Sequence, residues 1–226
     1  MSRLFAVTIL ALLVPCIASA EGPSSTVEAQ VTTIRSALRE GDVDGAVALA
    51  EKAAKEDPKS SMIQRWLGRA YGQKARKASV FTQLSWAKKC KTAFERSVSL
   101  DPESLDARTD LLAYHVNAPG IAGGDKEEAR RQAEEIRKRD PVRGHLAWGS
   151  VHEGAKDFPK AEAEYRSVGT AVDADASLRA RAFWRLGLVL EKQGRTEDAK
   201  IALREALKAD ASFERARRDL ERLEKG

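Results

Sequence analysis

The residues best placed to do chemistry are three arginines. Arg65 and Arg69 stand four apart, so on a helix they share one face. With Arg35, from an earlier copy of the same pattern, they form a set that can hold a carboxylate through paired N–H donors. They sit in the most one-sided stretch of the chain. The 37 residues from Pro58 to Phe94 contain no acid and nine bases: Lys59, Arg65, Arg69, Lys74, Arg76, Lys77, Lys88, Lys89 and Lys91. A field of one sign recruits anions, whether acidic peptide, phosphate or lipid headgroup. The plainer reading is a solvated basic face whose charges pair with acids of neighbouring elements. Phe81, Leu84 and Trp86 lie among these bases. Basic and aromatic residues together can meet a membrane surface or a nucleic acid. Their simpler role here is to zip the two arms of a long hairpin. Membrane-surface contact is therefore left open but not favoured, and no nucleic-acid partner is expected.

Other reactive arrangements fail on spacing. The stretch Gly120–Lys126 invites a phosphate-loop reading, but Asp125 stands where the loop needs glycine before Lys126, and no strand precedes it. Asp125 is read instead as the cap of the next helix. His115, His145 and His152 are the only histidines. His145 and His152 lie about 10 Å apart on a helix, too far to share a metal. His152-Glu153 begins a zinc-protease pattern, but Lys156 takes the place of the second histidine. Cys90 replaces an alanine of the other copies and reads as a small buried thiol. No catalytic residue, metal or cofactor is expected.

The elements that position these residues are helical. At 42% hydrophobic and only 6% aromatic, the chain has a core but favours helix over sheet. The clearest stretch is Phe183–Ala211. Phe183, Leu186, Gly187 and Leu190 make one helical stripe, and Ala199, Leu203, Ala206 and Leu207 a second. Gly194 supplies the turn and Thr196 is expected to cap the second helix. Gly187 and Ala199 are small where two helices approach closely. The second-helix spacing recurs five times with steps of 4, 3 and 5, beginning at Ala46, Cys90, Ala129, Ala161 and Ala199. The matching first-helix anchors are Ile34, Leu67-Gly68, Leu111-Leu112, Trp148-Gly149 and Leu186-Gly187. Two copies carry insertions: a longer second hairpin with its tip near Ser79–Leu84, and a loop over 117–124.

Small or apolar pairs in the first helix, a proline after the second helix at Pro58, Pro102 and Pro141, and a period near 34 residues resemble the tetratricopeptide repeat. The resemblance implies an all-α, right-handed α-solenoid of about five helix hairpins with a concave face lined by first helices. The repeats are placed at 27–60, 61–104, 105–141, 142–175 and 180–213, with a capping helix over 214–226. The two insertions further resemble an uncharacterised group of exported bacterial tetratricopeptide proteins. The carboxylate clamp of some family members is not reproduced: its asparagines are absent, and Asp110 stands near an expected base.

Residues 1–20 read as a secretory signal peptide. Arg3 precedes the apolar run Leu4–Ile17, and Ala18-Ser19-Ala20 is a cleavage pattern, with a flexible leader over 21–26. A periplasmic or secreted protein is expected. Cys90 is the sole cysteine beyond that segment, which excludes an intramolecular disulfide. The expected function is an interaction scaffold in an envelope assembly, not an enzyme. It would hold a protein or acidic peptide in its groove, with Arg35, Arg65 and Arg69 as anionic-ligand anchors and Trp184 as a groove aromatic. The alternative is a small-ligand or lipid-handling accessory component of an envelope transport system, in which the long hairpin and the Pro119–Gly124 loop shape an apolar pocket.

Overall fold

The computed structural model describes residues 25–225. The export segment and its cleavage position lie outside the described residues. The leader's last two residues, Ser25 and Thr26, already belong to the first helix.

The described residues form hairpin after hairpin: α1 (Ser25–Glu40) with α2 (Val43–Glu56), α3 (Ser61–Lys77) with α4 (Val80–Leu100), and α5 (Leu105–Asn117) with α6 (Lys126–Arg139). Then come α7 (Pro141–Gly154) with α8 (Phe158–Thr170), α9 (Ala176–Lys192) with α10 (Thr196–Ala209), and the single α11 (Glu214–Lys225). There is no strand among the described residues. Successive first helices touch one another, whereas second helices make no comparable contact among themselves. The result is an all-α solenoid whose inner wall is built from α1, α3, α5, α7 and α9.

Aspartate and serine set the helix starts. Asp42, Ser60, Ser104, Asp125, Asp140, Asp157 and Asp175 each accept a backbone N–H from the first turn of the helix they precede. Thr196 does not cap α10, correcting the sequence expectation. It is the first helical residue, and the cap position belongs to Arg195, whose guanidinium is held by Asp198 and Glu162. Between repeats, the recurrent device is an aspartate rather than the proline. Asp57, Asp101 and Asp210 each end a helix and accept the N–H two residues on. Inside the first and last hairpins Gly41 and Gly194 take φ of 83° and 74°, and Lys156 holds the same left-handed region at 62°.

The seam within each hairpin is a matched size pair. A Cβ on Gly68 would stand 2.5 Å from the Phe94 ring, one on Gly149 would collide with the Tyr165 ring, and one on Gly187 would stand 2.9 Å from Leu203. In the first and third hairpins the sizes are exchanged: Ile34 shares a cluster with Ala50, and Leu112 with Ala133. All of these residues are buried. Interiors pack near crystal density, so a small residue on one helix requires a large one opposite.

The second hairpin is the longest. α4 has 21 residues, against 13 or 14 in the other second helices. Its turn is Ala78-Ser79, so of the tip expected near Ser79–Leu84 the residues from Val80 onward lie inside α4.

Candidate functional site

The inner wall gathers the three arginines singled out from sequence, around a fourth residue that the sequence reading did not select. The Arg35, Arg65 and Arg69 guanidinium carbons lie 5.7, 5.9 and 4.6 Å from the centre of the Trp66 ring. At such distances the negative ring face attracts each cation. Two of the three are already paired. Arg69 grips Asp110 through Nε and Nη2 at 2.6 and 2.9 Å. Arg65 donates from Nε to the same carboxylate at 2.8 Å and reaches Asp106 at 2.7 Å. The carboxylate that this fork can hold is thus supplied by α5 of the next repeat. Arg35 is exposed, and no carboxylate pairs with it among the described residues.

Asp106 opens a row along the groove. It stands six residues before the seam residue Leu112. Arg143 stands in that place before Gly149, and Arg181 in that place before Gly187. Arg143 donates to Asp106 at 3.1 Å. Burial pulls the Asp106 carboxyl upward, but Arg65 and Arg143 outweigh it and hold the group below the ordinary carboxylate range. Arg181 closes the row with no carboxylate paired to it among the described residues. It touches water yet has protein around it, the condition of a concave wall. Desolvation and then the like charge of Arg143 depress its guanidinium below the usual value. Asp106 opposes this, and Arg69 and Arg215 add to it.

Trp184 forms a second aromatic station. Arg185 and Arg215 lie over it at 5.2 and 5.5 Å, Phe213 meets it edge-on at 5.7 Å, and its indole N–H donates to Asp219 at 2.8 Å. Trp184 therefore joins α9 to the terminal helix, and Arg215 above it has no carboxylate partner among the described residues.

The remaining candidates are structural. Asp125 caps α6 by accepting the Glu127 and Glu128 N–H groups. The Pro119–Gly124 loop is fastened by Tyr114, which donates to the Ala122 carbonyl at 2.5 Å. His145 pairs with Glu164 at 2.6 Å, and His152 lies against Trp148. His115 is buried with neither ring nitrogen hydrogen-bonded. Cys90 is buried and its thiol is pushed up to about 12, chiefly by desolvation. No group of three or more His, Cys, Asp or Glu side chains able to hold a metal occurs among the described residues. A cleft of about 530 Å³ does lie along the long hairpin, but the Pro119–Gly124 loop takes no part in it. It is lined by Leu67, Tyr71 and Ala93 together with Lys88, Lys89 and Arg96, and its exposed lining is mainly apolar, so of the two insertions only the long hairpin contributes to it.

Comparison with known proteins places the architecture. Residues 180–213 and 31–78 each match a model of the tetratricopeptide repeat. A thermophilic repeat protein of Thermus thermophilus is 18% identical and covers 87% of this chain and 98% of its own, with a TM-score of 0.66. PilW, a type IV pilus biogenesis factor, is 17% identical, covers 84% of this chain and 80% of its own, and has a TM-score of 0.57. The human IFIT1 dimer with PPP-AAAA is 18% identical over 82% of this chain and 48% of its own, at 0.56. No curated protein matches the sequence.

Proposed function

We propose, on the premise that this chain is a tetratricopeptide-repeat protein, that it is a non-catalytic scaffold holding an acidic segment of a partner protein along its inner wall. The observation that carries this reading is Arg181. It stands exposed on the inner wall near Arg143, Arg69 and Arg215, and no carboxylate of the described residues pairs with it, Asp106 acting only from a distance. Accumulated like charge costs free energy, and an anion of the partner relieves that cost. Arg35 and Arg215 extend the unpaired charge to the two ends of the wall, each beside a tryptophan face. The signal-like segment at 1–20 supports an exported protein working in an envelope assembly.

The test is binding of labelled acidic peptides, followed by fluorescence anisotropy. Arg181→Glu is expected to weaken binding by about tenfold, the loss expected when a charge facing an anionic ligand is reversed. Arg65→Gln with Arg69→Gln is expected to weaken it less, because those guanidiniums are already occupied by Asp110. Equal affinity of the Arg181→Glu variant and the wild type would remove the groove assignment.

A further inference from the structure

The tip of the long hairpin carries apolar side chains that the fold does not use. Val80 is 84% and Phe81 96% exposed, at the first two positions of α4. Of the three residues expected to zip the hairpin arms, Trp86 does so, packing on Tyr71 at 5.7 Å. Leu84 is half-buried. Phe81 instead points into solvent. The short turn Gly120–Ala122, with Ile121 78% exposed, packs further along α4, where Gly123 stands against Lys91. The other exposed large apolar residues, such as Val172 and Ile201, stand singly elsewhere. Val80 and Phe81, adjacent at the tip, make an apolar wedge of the kind that marks a contact surface.

The hairpin's own charges behind the wedge are basic, with Asp44 of the preceding repeat on Lys74 and the Gly41 carbonyl accepting from Lys77 at 2.9 Å. Arg76 and Lys77 lie on the last turn of α3, about one helical turn from the tip. Lys88 and Lys89 lie further along α4, and the whole hairpin from Pro58 to Phe94 has no acid. Arg76 and Lys88 have no carboxylate partner among the described residues, whereas Lys74 is taken by Asp44.

We infer that this edge docks on an anionic lipid surface, Val80 and Phe81 entering the headgroup boundary while Arg76, Lys77 and Lys88 meet the phosphates. Cations set back by one turn from an apolar wedge match the depth of that boundary, which is about 5–10 Å. The wedge is convex. A fluid interface accepts such a shape without a prebuilt pocket, whereas a protein partner must present one. No helix among the described residues is long and apolar enough to cross a membrane, so the contact is one of docking on the surface.

The test uses the chain from Glu21, which retains all the hydrophobic clusters of the body and lacks the apolar run at 4–17. It is mixed with phosphatidylcholine vesicles, with and without phosphatidylglycerol, and partitioning is read by flotation. The wild type should partition at least about tenfold more strongly onto the anionic vesicles and lose that advantage as salt rises. Phe81→Asp should lose about tenfold or more. Arg76→Gln and Lys77→Gln should each lose about fivefold. Val172→Asp, away from this edge, should behave as wild type. These sites are exposed, and unchanged circular dichroism checks that each variant is folded. The inference is overturned by equal partitioning of Phe81→Asp and wild type, or by no preference for anionic vesicles. It is equally overturned if sedimentation finds a wild-type dimer that Phe81→Asp dissolves, which would assign the patch to a second copy. Each of these results is independent of peptide binding in the groove.

Discussion

The two tryptophan stations of the inner wall are built from similar parts and reach opposite electrostatic ends. At Trp66, Arg65 and Arg69 are closed by Asp106 and Asp110, which reach across from the next first helix. Towards Trp184 the row Asp106–Arg143–Arg181 runs out of carboxylates, and Arg181 and Arg215 are left without a partner acid. One region spends its cations on holding two repeats together. The other leaves Arg181 and Arg215 without a partner acid among the described residues, although Arg185 there pairs with Glu153 at 3.2 Å. Arginines near an aromatic ring on a concave wall are therefore not evidence of a ligand site until the acids of the neighbouring repeat have been placed.

The largest test of this contrast is Asp110→Ala. It leaves Arg65 and Arg69 in the wall with their shared acceptor gone, and breaking such a partly buried pair from one side costs about 2–4 kcal/mol, somewhat below the range for full burial. Urea unfolding should show that loss, while anisotropy should show tighter binding of an acidic peptide to the freed guanidiniums. An unchanged unfolding midpoint would mean the closure at Trp66 is ornamental.

A second test asks whether acid weakens the middle of the stack independently of the groove. His115 is buried without hydrogen bonds and burial lowers its pKa; Glu128 opposes the shift and Lys91 reinforces it. The neutral ring is the form the fold accepts. Above the unfolded pKa of about 6.5 this site is neutral in both states and its contribution is intact; below it the unfolded chain binds a proton that the folded one resists. Stability should fall with decreasing pH through that window, down to the lowered folded pKa, with a slope of at most about 1.4 kcal/mol per pH unit. His115→Gln should flatten the difference between denaturation midpoints at neutral and mildly acid pH, and an unaltered slope would exclude His115 as its source.

The smallest effect is expected at the second station. Trp184→Phe removes the indole N–H that donates to Asp219, leaving the ring contacts in place, and should cost about 1 kcal/mol of stability. If acidic-peptide binding falls in proportion, Trp184 is a groove residue as read from the sequence. If stability alone changes, it is a clasp for α11.

Much of the fold was legible because the seam is periodic: identical second-helix steps place Ala46, Cys90, Ala129, Ala161 and Ala199 without knowledge of any neighbour. The site was less so. Arg65 and Arg69 could be put on the inner face, but their partners lie on another repeat. The copies are separated by unequal steps of 44, 39, 32 and 38 residues between those anchors, so relative phase was not fixed by counting. Arg181 was missed as one basic residue of a charged helix. The available signal was its register, six before the seam glycine, shared with Arg143 and Asp106. Thr196 was misread because a hydroxyl beside a glycine turn satisfies the capping pattern one residue too late.

The exchange of sizes across each hairpin has an evolutionary corollary. Gly149 suits Tyr165 and Leu112 suits Ala133, but transplanting α7 into the place of α5 would open a void over Ala133, and the reverse graft would drive a leucine into the tyrosine ring. Each hairpin is thus an indivisible unit of inheritance. Recombination can shuffle whole repeats by crossing over at the aspartate turns, while breakpoints inside a hairpin separate a lock from its key.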